Sequence, residues 1–272
     1  MKLLGISRGA QYSPNLQGSD ATIFEAVAQR LREGGAEVGC ISEDQLLTAP
    51  LAGYAAVFTM ARDVERLSRW TCPVPCFNSP AGILACSRKG QAALLLADAG
   101  VAQPRFTVDA GGADFFPLWL KNGDSCAQQR EDTALVADAV ELAEALAAFR
   151  ARGVQSWLMQ AHVEGDLLKF YGVEGTDFFE WHYAAEGHSK FGLEAHNGPV
   201  QGFAFDAAAL KHQTDRAART LGVPIYGGDC VVDRTGGLHL IDFNDWPSFA
   251  RCCEQAARAI AQRIQAALTP IL

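Results

Sequence analysis

The chain has 272 residues, 49% of them hydrophobic, and a formal net charge of −8. That length and composition support a sizeable core in one multi-lobed unit or two domains, and exclude a disulfide-stapled miniprotein or a disordered tail. The acidic balance argues against broad attachment to nucleic acid or anionic membrane, while leaving room for a local basic pocket that takes a phosphorylated ligand.

The opening MKLLGISRGAQYSPN has only a short apolar run before Ser7 and Arg8, less than a signal peptide requires. No stretch approaches the roughly 18 apolar residues of a membrane span, so the expectation is a cytoplasmic protein. The eight cysteines, at 40, 72, 76, 86, 126, 230, 252 and 253, show no paired CxxC spacing. In a reducing compartment they read as core residues or incidental thiols. Cys72 and Cys76 stand in CPVPC with no second pair of ligands for zinc.

In chain order, Lys2 to Ile6 predicts a strand, followed by a polar loop and an amphipathic helix. Ser19 and Asp20 are its expected caps, Ile23, Val27 and Leu31 its apolar face, and Gly34 and Gly35 its stop. Strands are expected at Val38 to Ile41 and Tyr54 to Met60, with a short helix at Asp63 to Trp70. This alternation predicts a small open α/β lobe over residues 1–75. The proline-rich TCPVPCFNSPAG reads as the boundary to a second unit over 76–272. A helix from Arg88 to Ala99 follows, then strands at Arg105 to Val108 and Phe115 to Leu120. The polar stretch NGDSCAQQRED precedes an alanine-rich helix expected from Thr133 to Arg150. WLMQAHV, LLKFYGVEG and DFFEWHY read as one antiparallel sheet. A helix from Phe205 to Leu221, two strands (Tyr226 to Val232 and Leu238 to Phe243) around DRTGG, and a helix from Phe249 to Leu268 complete the chain.

The last hairpin carries chemistry. Asp242 and Asn244 are two apart, so on a strand they share one face, and Asp229 on the partner strand can converge with them. Three hard oxygen donors suit Mg²⁺, with phosphates and water filling its other positions. The plain alternative is a hairpin with turn or surface acids.

Four segments, FNSPAGILACSRKGQAALLLADAGVAQP, FFPLWLKNG, LMQAHVEGDLLKFYGV and YGGDCVVDRTGGLHLIDFNDWPSF, resemble in their order the ATP-grasp superfamily. The likeness is to the glutamate ligases that modify ribosomal proteins, with features of the inositol-phosphate kinases. It implies an α/β and α+β fold in which ATP lies between two α+β lobes behind the small N-terminal lobe. It also implies ATP and Mg²⁺ as cofactors, with Asp229, Asp242 and Asn244 as metal ligands and Asp242 standing where glutamate is often found. Lys89, Lys121 and Lys169 correspond to lysines near the phosphates, Lys121 and Lys169 serving catalysis. Gln160 to Val163 resembles the hinge strand that meets adenine, with backbone contacts from Ala161 and Val163, and Glu164 or Asp166 would hold the ribose. NGDSCAQQRED departs from the family's glycine-rich phosphate loop, keeping only Gly123, with Ser125 or Arg130 available to phosphate.

The resemblance implies a ligase that activates a small-molecule or peptide carboxylate as an acylphosphate for attack by an amine or thiol. The alternatives are a small-molecule kinase and a nucleotide sensor without turnover. The expected partner is a small-molecule or peptide acceptor, without nucleic acid or membrane, and homo-oligomerisation stays open. His162, His182, His188, Lys190 and His196 fall in the acceptor region.

Overall fold

The computed structural model describes residues 1–13, 17–123, 129–184 and 193–269. Among them no helix is long and apolar enough to cross a membrane. Ser125, His188 and Lys190 lie outside the described residues.

Strands β1 (Lys2–Ser7), β2 (Glu37–Ser42), β3 (Ala56–Thr59) and β4 (Cys76–Phe77) form a parallel sheet in the order β2-β1-β3-β4. β1 buries Leu3, Leu4 and Ile6 in succession, as a strand covered on both faces requires. Helix α1 (Gln17–Glu33) packs Ile23, Val27 and Leu31 against Leu3 and Phe58 on one face. The other face takes Leu67 of α2 (Val64–Arg69) and Ile83 of α3 (Pro80–Ser87). The expected boundary segment is therefore partly helix. Ser79 caps α3, accepting from the Gly82 amide at 3.1 Å, and Pro80 occupies the first turn, where its missing N–H has no cost. Helix α4 (Lys89–Asp98) is a separate element, so the helix expected from Arg88 starts one residue later, behind α3.

A second sheet, antiparallel, has the order β5-β8-β6-β7, from β5 (Phe106–Thr107), β6 (Leu118–Asn122), β7 (Thr133–Val136) and β8 (Trp157–Ala161). Helix α5 (Ala139–Ala151) covers it through Leu142, Leu146 and Phe149. The alanine-rich helix therefore begins six residues later than expected, because residues 133–136 pair with β6. Its true start was marked. Asp138 caps the Val140 and Glu141 amides, and Glu141 reaches back to the Ala137 amide at 2.7 Å, so two acidic side chains take up amides at the helix start.

A third sheet, also antiparallel, has the order β10-β9-β11-β12, from β9 (Asp166–Val173), β10 (Phe179–Tyr183), β11 (Ile225–Val232) and β12 (Leu238–Asp245). Helix α6 (Ala207–Leu221) is capped by Asp206 and ended by Gly222 at φ 71°, a left-handed position that glycine takes without strain. With α4 it buries Leu96, Leu210, Phe170 and Phe243 on one face of the sheet. β8 thus belongs to a different sheet from β9 and β10, against the expectation of one sheet. The chain crosses between sheets at His162 to Gly165.

Trp246 and Phe249 turn the chain out of β12 with φ of 28° and 48°. Both are fully buried, which holds them in conformations unfavourable for non-glycine residues. Helix α7 (Cys253–Leu268) starts after this turn, four residues later than expected, and lies along α1. Asn78 adds a second tie, exchanging hydrogen bonds with Ile225 at the start of β11 (2.7 and 2.9 Å).

Asp20 is not a cap. It lies within the first turn of α1, buried, and accepts from Arg8 Nη1 at 2.9 Å and from the Ser13 hydroxyl. Arg8 spans the junction, donating from Nη2 to the Trp246 carbonyl at 2.6 Å and from Nε to that of Met60 at 3.2 Å. Burial and the neighbouring Arg62 lower the Arg8 pKa, against the opposing pull of Asp20 and Asp245. Removing one partner from a buried ion pair strands the other charge, at about 3–5 kcal/mol. Asp20→Ala is expected to lose about that much unfolding free energy in urea titration; a loss below about 1 kcal/mol would remove this ion pair from the list of folding determinants.

Candidate nucleotide and metal site

The register of the third sheet assembles the site. Lys169 of β9 pairs with Asp229 of β11, and Asp229 with Asp242 of β12, so the three side chains stand in one row on one face. Their neighbours Leu168, Phe170, Cys230 and Phe243 point into the core on the other face. Lys169 Nζ lies 3.0 Å from Asp229 Oδ1, and Lys89 Nζ, from the first residue of α4, lies 2.5 Å from Asp242 Oδ1. Asn244, paired with Gly227, donates from Nδ2 to Asp242 Oδ2 at 3.0 Å. A Cβ at Gly228 would run into the Asp242 carbonyl oxygen and the Phe170 ring. The missing side chain is thus what lets β11 and β12 close around the carboxylates.

Beyond the Asp229–Asp242 pair the register slips. The next pair is Cys230–Leu240, leaving Ile241 as the extra residue of a β-bulge. Its carbonyl accepts from Lys121 Nζ at 2.7 Å. Lys121 reaches across from β6 of the second sheet, and Gln160 of β8 accepts from the same Nζ at 2.9 Å. One ammonium group therefore connects the two sheets, on a side chain that is nearly buried.

The charges are strongly coupled. Burial lowers the Lys121 pKa from its ordinary 10.5 to about 8, against the opposing pull of Asp242 and Asp229. The Asp229 charge raises Lys169 despite its burial. Burial works to raise Asp242, but Lys89 and Lys121 outweigh it and hold the carboxyl below its usual range.

The other candidates divide. Gln160 serves Lys121, and its backbone lies where β8 leaves the second sheet. The Ala161 amide donates to the Arg105 carbonyl at 2.8 Å, and the Val163 carbonyl accepts from Asn197 Nδ2 at 3.3 Å. Glu164 is exposed at the crossover. Asp166 is 2% exposed, and both its oxygens accept backbone amides, from Gln201 at 2.6 Å and Phe203 at 2.8 Å. Such a carboxylate anchors its own loop, and of the two ribose candidates only Glu164 faces solvent. His182 pairs with Lys169 and so extends the row by one strand, its ring stacked on Tyr171 with centroids 5.8 Å apart. His162 and His196 instead gather around Trp119, whose Nε1 donates to His162 Nδ1 at 3.1 Å. Arg130 is exposed next to the undescribed residues 124–128.

No protein-family model matches the sequence, and no curated protein matches it. Solved structures do. A RimK domain ATP-grasp protein from Sphaerobacter thermophilus superposes with a TM-score of 0.65 at 17% identity, over 97% of this chain and 100% of that one. A D-alanine–D-alanine ligase from Bacillus anthracis, complexed with ATP, gives 0.66 at 12% identity over 98% and 97%. The VanG D-Ala:D-Ser ligase from Enterococcus faecalis gives 0.69 at 11% identity over 98% and 99%.

This chain has an ATP-grasp fold. The row of Asp229, Asp242 and Asn244 offers hard oxygen donors on one face of the third sheet. Among the described residues no group of three or more His, Cys, Asp or Glu could hold a metal ion. Two carboxylates and an amide instead suit Mg²⁺, which keeps waters and phosphate oxygens in its shell. Lys89 and Lys169 now neutralise the two carboxylates.

The depressed Lys121 value has a measurable consequence. Between about pH 8 and 10.5 the unfolded chain binds more protons at this lysine than the folded one, so its contribution to stability rises with pH across that window. Lys121→Met is expected to remove this rise, read as the slope of unfolding free energy against pH. Identical slopes in the two proteins would show that Lys121 titrates normally.

Proposed function

We propose that the protein is an ATP-dependent ligase that activates a small-molecule or peptide carboxylate for attack by an amine or thiol. The observation that carries this reading is the convergence of Asp229, Asp242 and Asn244 with three lysines from different elements. Lys89 comes from α4, Lys121 from β6 and Lys169 from β9. Two of the structurally similar proteins are ligases by name, one of them complexed with ATP.

Magnesium-bound ATP would supply the γ-phosphoryl group that converts the carboxylate to an acylphosphate. Asp229, Asp242 and Asn244 would hold the metal. Lys121, fixed between Gln160 and the Ile241 carbonyl, would offer its ammonium to the phosphates from the second sheet. Lys89 and Lys169 would follow the moving charge from the third, a task suited to a point charge on a flexible stem. The base would lie along Ala161 to Val163, with Glu164 toward the ribose. None of these roles needs a protein nucleophile.

Incubation with Mg-ATP and pooled carboxylates, amines and thiols should give ADP, phosphate and a condensation product. A phosphomonoester would make the protein a kinase, nucleotide binding without turnover a sensor, and absence of magnesium-dependent binding would end the reading. Asp242→Ala and Asn244→Ala should each lower turnover by about 10²-fold or more with the fold retained. Near-normal rates in both would remove the metal assignment.

A further inference from the structure

Helix α5 covers Leu118 and Leu120 of β6, so Trp119 and Lys121, two apart, stand together on the opposite face of the second sheet. Trp119 pairs with Gln160, the residue that accepts from Lys121. Two residues beyond Gln160 is His162, just past the end of β8, where the chain leaves for the third sheet. The crossover is tied down by the His162 amide, which donates to the Pro117 carbonyl at 3.0 Å, and by the Val163 carbonyl, which accepts from Asn197 Nδ2 at 3.3 Å. A further tie depends on protonation: Trp119 Nε1 donates to His162 Nδ1 at 3.1 Å. An indole N–H can only donate, so Nδ1 is the bare nitrogen and the ring carries its proton on Nε2. A second proton would remove the acceptor and set two N–H groups against each other.

We propose that neutral His162 is a positioning residue: by accepting the Trp119 N–H it sets the backbone of residues 161–163 for the base, so that nucleotide affinity follows the protonation of this one imidazole. The role rests on the nucleotide site proposed above. Among the described residues, the titratable groups that face the ring are Glu164, on the crossover itself, and His196, in the turn Leu193–Asn197. β6 contributes the indole, against which His196 stands edge-on with centroids 5.3 Å apart. Burial lowers the His162 pKa from its ordinary 6.5; Glu164 opposes this and His196 adds to it. The neutral ring that the hydrogen bond needs is therefore the form present at neutral pH. Because the value in the folded protein is lowered, the bond is intact above it and is lost as pH falls through it. The Pro117 and Asn197 ties carry no titrating group, so acid loosens the crossover at its side chain and leaves the sheets in place.

The test is calorimetric titration of the whole protein with Mg-ATP from about pH 8 to about pH 5. Affinity is expected to weaken about fivefold below the His162 midpoint, as for one hydrogen bond lost. His162→Gln supplies a carbonyl acceptor that does not titrate. It should bind as the unsubstituted protein does at the upper end and lack the fall, read as the ratio of the two affinities at each pH so that protonation of ATP cancels. His162→Leu should bind about fivefold more weakly at the upper end. The ring-nitrogen NMR signals of His162 should place the proton on Nε2 at neutral pH and titrate below 6.5, with a midpoint that coincides with the change in affinity. A proton on Nδ1, separate midpoints, or an equal fall in His162→Gln would overturn this proposal alone. Absence of Mg-ATP binding at every pH would overturn the nucleotide reading and this role with it. The ring signals and affinity of the unsubstituted protein decide the matter even where a variant fails to fold.

Discussion

The pairing of Lys169 with Asp229, and of Asp229 with Asp242, is the constraint on which the site depends. Antiparallel partners stand on one face at about 5 Å, so three neighbouring strands set one lysine and two carboxylates side by side in a row. A slip of one residue in β12 would turn Asp242 and Asn244 into the core and bring Phe243 out. The burial of Phe170, Phe243 and Leu240 resists that slip. The hydrophobic side of the sheet thus holds the register of its polar side.

The bulge at Ile241 and the buried Lys121 belong to the same design. An extra residue in β12 leaves a carbonyl outside the regular ladder, and an ammonium from another sheet fills the vacancy. A lysine held this way is costly while charged, as its lowered pKa records. A strongly perturbed lysine in a cleft between two sheets is a candidate for contact with an anionic ligand. Arg8 does comparable work at the other end of β12, linking α1, β3 and the turn at Trp246 through three hydrogen-bond partners.

Much of the fold was legible in the sequence because its signals are local. The period of α1, the Asp206 and Gly222 ends of α6, and the spacing of Asp242 and Asn244 are all read within a few residues. The late start of the alanine-rich helix was legible too, in Asp138 and Glu141, as was α3 in Ser79 and Pro80. In both places an apolar or proline-rich run outweighed a capping signal. β7 is different: TALV favours no single state by itself, and pairing with β6 decides it as strand.

By itself, the sequence determined which residue types stood near one another along the chain, and so the hard-oxygen character of the IDFN strand and the lysines able to serve it. Only the tertiary structure decided that β8 and β9 part into separate sheets, that Lys121 crosses between them to Ile241, and that Asp166 serves its own loop while Asp20 anchors Arg8. The physical reason is range. Caps and side-chain periodicity act over one or two turns, whereas strand register and the partners of buried charges depend on segments as far apart as Arg8 and Trp246.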